Sequence, residues 1–411
     1  MFKINISYII PHERSRLYGT PHGTGGLDRT FLLLNFATVN QIDQIIARIA
    51  ALQSNGEPHF DAGLFPAWRK NVALGYRRPD TTIFFTAIIA FTLQRLRPRL
   101  LEKSQILVDE ITQKAIINYP KFQNKDGLKT YNFWKTKPSQ HFPNGHVFRH
   151  LDHFRIPDDV DDTVMIYLTS SPISEENQWL KQKLALHANG SKRQIQNTYA
   201  EYKSLQAYST WFGKNMYIEF DACVLSNALY WVFENQLPLN QHDTDSLKYI
   251  RSVIESSRYL TEPFRCAHQY PRTSLIVYHV ARLMGTFEIA ELASIKTKLI
   301  ADAQQLLQQS QQPLDQILLQ TSLLQLGIKK ANLPAFEGIT DWQNIDFDDF
   351  YFFIAGLLTA YENLALYRLA RSPLTHIRWH CEAHVWTLVA EFLVLSGGWW
   401  VCNITNNNLF L

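Results

Sequence analysis

Two kinds of segment alternate along this chain. In one, apolar residues run almost unbroken: Pro79–Leu93, Pro157–Leu168, Phe220–Val232, Pro271–Leu283, Pro313–Leu326, Asp348–Tyr361 and His376–Leu395. In the other, apolar positions recur every three or four residues among polar ones: Gln41–Ala51, Glu102–Ile117, Ser191–Leu205, Thr244–Ser257 and Ile295–Gln309. A helix apolar on every side has to be buried on every side, whereas an amphipathic helix covers it and meets water. Most of the apolar runs open on Pro or Asp, residues that suit a helix start by preset φ, by capping and by charge at the positive dipole end. No stretch alternates apolar and polar residues for long enough to read as a strand.

The pattern predicts an all-α chain arranged as an α/α toroid of about six or seven helix pairs, with an inner apolar ring and an outer amphipathic ring. Residues 1–39 are expected as an N-terminal segment packing on it, and residues 40–411 as a single toroid domain. Two loops join an Asn-Gly or Asp-Gly turn to aromatic residues, Gln53–Phe60 and Gln123–Trp134.

Composition narrows this picture. With 46% hydrophobic residues the 411-residue chain can bury a large core and is not disordered. Its 40 basic and 37 acidic residues leave a formal charge of +3, too balanced for a nucleic-acid binder. Cys223, Cys266, Cys381 and Cys402 form no Cys-x-x-Cys pair, the usage of a reducing compartment. The first residues lack the long apolar stretch and cleavage site of a secretory signal, so a cytoplasmic location is expected. Ala383–Val401 is the closest approach to a membrane span. His384, Glu391 and the Gly397-Gly398 pair interrupt it, which favours a buried helix.

The stretch Ile156-Pro157-Asp158-Asp159-Val160-Asp161-Asp162-Thr163 stands apart chemically. A helix start can cap only one or two carboxylates, and crowded like charges keep at least one proton bound. A carboxylic acid held neutral in an apolar setting is a candidate Brønsted acid.

Asp159-Val160-Asp161-Asp162-Thr163 resembles the Asp-x-Asp-Asp-Thr motif of class II terpene cyclases. The wider alternation is similar to the α/α-toroid superfamily of terpenoid cyclases and protein prenyltransferases. The resemblance implies protonation-initiated cyclisation of an isoprenoid, an isomerase or lyase type of reaction. Asp161 would be the acid, Asp159 and Asp162 would hold its proton and orientation, and Thr163 would support them. It implies no cofactor for proton transfer, with Mg²⁺ entering only alongside a bound diphosphate. The implied partner is a hydrophobic small molecule, and contact with a membrane surface belongs to the same expectation. The family's Gln-x-x-x-Gly-x-Trp repeat is met by Gln123 and Gly127 but broken at Lys129.

Aromatic faces stabilise cations by about 0.5–2 kcal/mol each. Phe84, Phe85, Tyr167, Tyr230, Trp231, Tyr351, Phe352 and Phe353 lie on the apolar runs. Tyr167, Tyr230 and Trp231 are expected to line the substrate site, together with Asp221, for which capping its own helix is the alternative.

Other readings stay open at this stage. Asp158-Asp159-x-x-Asp162 also matches a Mg²⁺–diphosphate motif of class I prenyl-transfer enzymes, but Phe352 and Gly356 follow Asp348-Asp349 where a second ligand motif is needed. His376, His380, Cys381 and His384 are expected on one helix, in a structural or gating role ahead of metal binding. Arg265, His268, Arg272 and His279 could meet an anionic head group or simply form a solvated helix entry. A toroid that only binds a hydrophobic or carbohydrate ligand or a protein, and a carbohydrate-active α/α barrel working with two carboxylates, are the remaining functions to weigh.

Overall fold

The computed structural model describes residues 29–71, 73–142, 145, 147–151, 155–213, 216–334, 350–356 and 364–398. These contain 14 α-helices and four short strands. In chain order they are α1 (Arg29–Leu52), β1 (Ala67–Asn71), β2 (Tyr76–Asp80), α2 (Ile83–Leu96), α3 (Glu102–Ile116), α4 (Val160–Ser170) and α5 (Ser174–Leu186). There follow α6 (Ala222–Glu234), α7 (Gln241–Glu255), α8 (Arg258–Thr261), α9 (Pro263–Cys266), α10 (Thr273–Thr286) and α11 (Lys296–Gln309). The last are α12 (Pro313–Gln325), β3 (Phe353–Gly356), α13 (Leu364–Ala370), β4 (His376–His380) and α14 (Glu382–Leu393).

The two classes of segment become two classes of helix. In α2 every residue from Ile83 to Leu93 is buried, as is every residue of α6 from Ala222 to Val232 and of α10 from Ser274 to Leu283. Helix α14 is buried from Ala383 to Leu393. By contrast α11 buries only Leu299, Ala303 and Leu307, a single stripe at four-residue spacing. Helices α3 and α7 likewise bury one face. Helix α2 packs on α4, α4 on α6, α6 on α10, α10 on α12, α12 on α14 and α14 on α2. The striped helices lie against this set, α1 on α14, α3 on α2, α7 on α6 and α11 on α12. No helix among the described residues is long and apolar enough to cross a membrane.

The structure departs from the sequence pattern in four places. The bulk is helical as expected, but β2, β1, β4 and β3 pair in that order as an antiparallel sheet. Pro79–Leu93 therefore opens as strand, with Asp80 at the end of β2, and α2 begins only after its N-cap Thr82. The run from His376 splits at Cys381: His376 and His380 lie on a strand, and only His384 lies on a helix. The strand forms because β1 and β3 supply backbone partners on both sides of β4, with Arg69 opposite Trp379 and Phe353 opposite Trp379. Of Asp348–Tyr361, residues 350–356 are described and none is helical: Phe353–Gly356 form strand β3, and residues 348–349 and 357–361 lie outside the described residues.

The fourth departure is Ser191–Leu205, which is not a helix beyond a short turn at Ala200–Tyr202. The preceding Ser174–Leu186 takes the helical place. Asn189 holds the loop open instead, donating to the carbonyls of Lys203 and Leu205 and accepting the N–H of Ile195. Helix α1 begins at Arg29, so it runs through the expected boundary at residue 40, and residues 1–28 lie outside the described residues.

Candidate active site

The acidic stretch is pinned before it becomes helix. The N–H of Asp159 donates to the Tyr131 carbonyl, that of Val160 to Thr210 and that of Phe212 to Asp158, so residues 158–160 run between two neighbouring extended segments. Asp159 then caps α4, its Oδ1 accepting the N–H of Asp162 at 2.7 Å. The hydroxyl of Thr163 donates to the Asp159 carbonyl at 2.7 Å and accepts the N–H of Tyr131 at 3.0 Å. The Asp158 carboxylate accepts from Asn124 and Thr130, each at 2.6 Å, and so ties the loop over residues 124–130 to the helix start.

The three remaining aspartates line a cavity whose empty space, counted out into the open solvent at its mouth, is about 540 Å³. Its wall comes from the first turns of α2 (Phe84) and α6 (Val224), from Asp159, Asp161 and Asp162 at α4, and from Ile156. Loops add Phe133, Trp134, Thr210, Trp211, Gln269 and Tyr270, and the sheet adds Phe353, Ile354, Ala355 and Trp379. The cavity thus sits at the N-terminal ends of three buried helices, where the helix dipoles favour negative charge. Its rings brace one another: Phe84 meets Phe353 edge-on at 5.3 Å between centroids, and Phe353 stacks on Trp379 at 5.4 Å. Asp80 accepts the indole N–H of Trp379 at 2.7 Å and that of Trp134 at 3.2 Å, which fixes both rings in the wall.

The carboxyl groups are not equivalent. Asp161 is 6% exposed and accepts two side-chain donors, Asn227 Nδ2 on Oδ1 at 2.6 Å and the Tyr270 hydroxyl on Oδ2. Burial pushes its carboxyl above the usual range, while Tyr270, Asn227 and then the Arg282 charge pull it back. Asp162 is fully buried and, among the described residues, no side chain or backbone group donates to it. Burial, and after it the neighbouring Asp159 charge, hold its carboxyl well above the ordinary value. Asp159 is pushed up to about 7, chiefly by burial. Two carboxyls this close cannot both ionise readily, so Asp159 and Asp162 titrate as a pair.

A second buried acidic pair lies next to the wall residue Gln269. Glu219 accepts from the Gln269 side chain at 2.9 Å, and Asp221 accepts the Gln269 N–H at 2.9 Å. Burial pushes these carboxyls up to about 7 and about 8 respectively.

The structure brings Asp159, Asp161 and Asp162 together at the cavity but not the expected Tyr167, Tyr230, Trp231 and Asp221. Tyr167 is five residues past Asp162, about 140° around the helix, and donates its hydroxyl to the Lys129 carbonyl. Tyr230 packs edge-on against Phe91 and Phe287, and the Trp231 indole donates to Asn177. Both are six or more residues beyond Val224, about 9 Å or more along the helix axis from the cavity end. Asp221 caps α6 through the N–H groups of Cys223 and Val224.

The basic set and the histidine–cysteine set do not converge either. Arg265 lies over Tyr199 and Arg272 pairs with Asp315, while burial drives His268 and His279 below the normal imidazole value. His376 bonds the Ala370 carbonyl and His380 that of Phe350, and burial pushes His384 down to about 3. Among the described residues no group of three or more His, Cys, Asp or Glu side chains is arranged to hold a metal ion.

Sequence reasoning named Phe84 and Phe353 of the wall but missed Asn227, Tyr270 and Arg282, as well as Phe133, Trp134, Trp211 and Trp379. A signal existed for two of them. Asn227 and Arg282 are strongly polar residues inside apolar runs, and a buried polar group needs a partner. Comparison with known proteins returns no match: no family model, no curated protein and no solved structure matches this chain.

Proposed function

We propose that the chain is a class II terpene-cyclase-like enzyme that protonates an isoprenoid and so starts its cyclisation, with Asp161 as the acid. The six mutually packed buried helices are read as the inner ring of an α/α toroid, and the striped helices as its outer ring. The observation that carries the reading is the pairing of Asp161 with Asn227 and Tyr270 on the wall of an aromatic cavity.

A strong acid is one whose conjugate base is stabilised before the proton leaves. Asp161 meets that description, since two donors and the dipole of α4 await its negative charge. Asp162 does not: with no donor it holds its proton as a weak acid, and with Asp159 it keeps the site from carrying three full charges. In the step itself the O–H bond of Asp161 breaks and the alkene π pair takes the proton to form a C–H bond. The electrons of the broken bond remain on the carboxylate, and a carbocation is left on the substrate. The faces of Phe84, Phe133, Trp134, Phe353 and Trp379 then stabilise the moving cation, and the apolar wall excludes water that would quench it. Besides the acids, Thr210, Gln269, Tyr270 and the indole N–H groups of Trp134, Trp211 and Trp379 bring polar atoms to the wall, and the rest of the lining is apolar, which suits a hydrocarbon better than a sugar. A greasy substrate delivered to a protein of the cytoplasm would be met at a membrane surface, and both placements belong to the same proposal.

Purified protein incubated with a panel of prenyl diphosphates and with squalene, followed by mass spectrometry of extracts, tests the reading. Cyclised product is expected from at least one substrate, and Asp161→Asn should lower its formation by about 10²–10⁴-fold while the protein stays folded. Undiminished product from that variant, or no product from any substrate, overturns it.

A further inference from the structure

We propose that Arg282 and Asn227 are positioning residues that decide which oxygen of Asp161 carries the proton; this rests on the cyclase reading for its catalytic meaning but not for its geometry. The three residues come from consecutive members of the packed set, Asp161 on α4, Asn227 on α6 and Arg282 on α10. All are buried, Asn227 at 0% and Arg282 at 1% exposure. The guanidinium lies between the Phe91 and Tyr278 rings, 5.3 Å from each centroid, and its Nη2 donates to Asn227 Oδ1.

A guanidinium has donors and no acceptor. The Asn227 atom that faces it must therefore be the amide oxygen, which leaves the amide nitrogen to face Asp161. Asp161 Oδ1 is then an acceptor in both protonation states. Oδ2 meets the Tyr270 hydroxyl, a group that can donate to a carboxylate or accept from an acid. The proton accordingly resides on Oδ2, and Oδ1 stays carbonyl-like. When Oδ2 loses its proton, the charge left on Asp161 is shared through one amide with Arg282, which strengthens the acid without neutralising it in advance.

Infrared difference spectra of the full chain, wild type minus Asp161→Asn, report the C=O band of the Asp161 acid directly. That band is expected at the frequency of a hydrogen-bonded carboxylic acid in the wild type. In Asn227→Leu it should move to the frequency of a free one. In Arg282→Gln it should broaden or shift, because the Asn227 amide is free to turn over, and Arg282→Lys should restore it in part. With substrate, Asn227→Leu should lower kcat about tenfold or more while KM changes little, with the alkaline limb of the pH profile, where Asp161 loses its proton, displaced upward by about one pH unit. A merely structural pair of residues would move none of these in protein that stays folded.

A free-acid frequency in the wild type overturns the proposal even if every variant fails to fold. So does an unchanged band and pH limb in folded Asn227→Leu. A shifted band in a protein that cyclises nothing would instead uphold the positioning and overturn the cyclase reading, so the two fail separately.

Discussion

Asp159 caps the helix whose second residue, Asp161, and third residue, Asp162, share the cavity with it, and the N–H that it caps belongs to Asp162. One carboxyl therefore performs a folding task and lies beside a second carboxyl to which no group among the described residues donates a hydrogen bond. The two tasks can be separated by substitution.

Asp159→Ala removes the cap and should lower stability by about 0.5–2 kcal/mol. Asp159→Asn keeps an acceptor for the Asp162 N–H and removes the charge beside Asp162, so at pH 8 it should be no less stable than the wild type. Urea denaturation of both variants checks this. Equal losses would mean that the charge, not the cap, is what α4 needs.

Stability should fall as pH rises from about 6.5 to about 8.5. Asp159, Glu219 and Asp221 are raised to about 7, about 7 and about 8 in the folded state, against about 4 when unfolded. The folded chain thus binds protons that the unfolded chain has released; the stability this gives is full below about 4, declines as pH rises above it, and the last of it is lost as pH passes 7 to 8. His268 and His384, pushed down to about 3, act in the opposite sense, but only below the unfolded imidazole value of about 6.5. Above that pH the raised carboxyls set the slope, and near pH 8.5 the buried thiols of Cys223, Cys266 and Cys381, held above their ordinary value by burial, add to it in the same sense. Thermal midpoints at pH 6.5, 7.5 and 8.5 report the slope, and Glu219→Gln should flatten it. A rising midpoint over this range contradicts the assignment.

Asp80→Ala should cost about 3–5 kcal/mol, because it leaves two cavity-wall indoles without their acceptor and removes the buried anion 3.7 Å from Arg69. Tryptophan emission should shift to the red as Trp134 and Trp379 loosen. An unshifted spectrum with near-wild-type stability would show that ring packing alone fixes the wall.

Gly285→Ala should destabilise by about 1–3 kcal/mol. A Cβ there would stand 2.4 Å from the Gln325 carbonyl, where α10 and α12 approach. Helix propensity alone favours Ala by about 1 kcal/mol, so a gain in denaturation midpoint would mean that the two helices separate at little cost.

Much of the architecture was legible because burial on all sides leaves a mark in sequence. The apolar runs at Phe220–Val232 and Pro313–Leu326 coincide closely with α6 and α12, and the stripe of Ile295–Gln309 with α11. The acidic group at the cavity was legible for the same reason: charges that lead into an apolar helix cannot all stay in water. Its partners were less so, since which lone polar residue meets which depends on how helices far apart in sequence abut. The sheet was not legible at all. Its strands are four or five residues long, and β1 pairs with β4 from about 300 positions away, so His376–His380 reads equally well as the start of a helix.

Local composition by itself determined that the chain is mainly helical, which helices are buried, and that four aspartates open α4, because helix period and hydrophobicity act over a few turns. Only the tertiary structure decided that Asn227, Tyr270 and Arg282 converge on Asp161, that Tyr167, Tyr230 and Trp231 stay out of the cavity, and that a sheet closes part of its wall. Those outcomes follow from packing between distant segments, where the phase of a helix and the reach of a side chain select partners that no local pattern encodes.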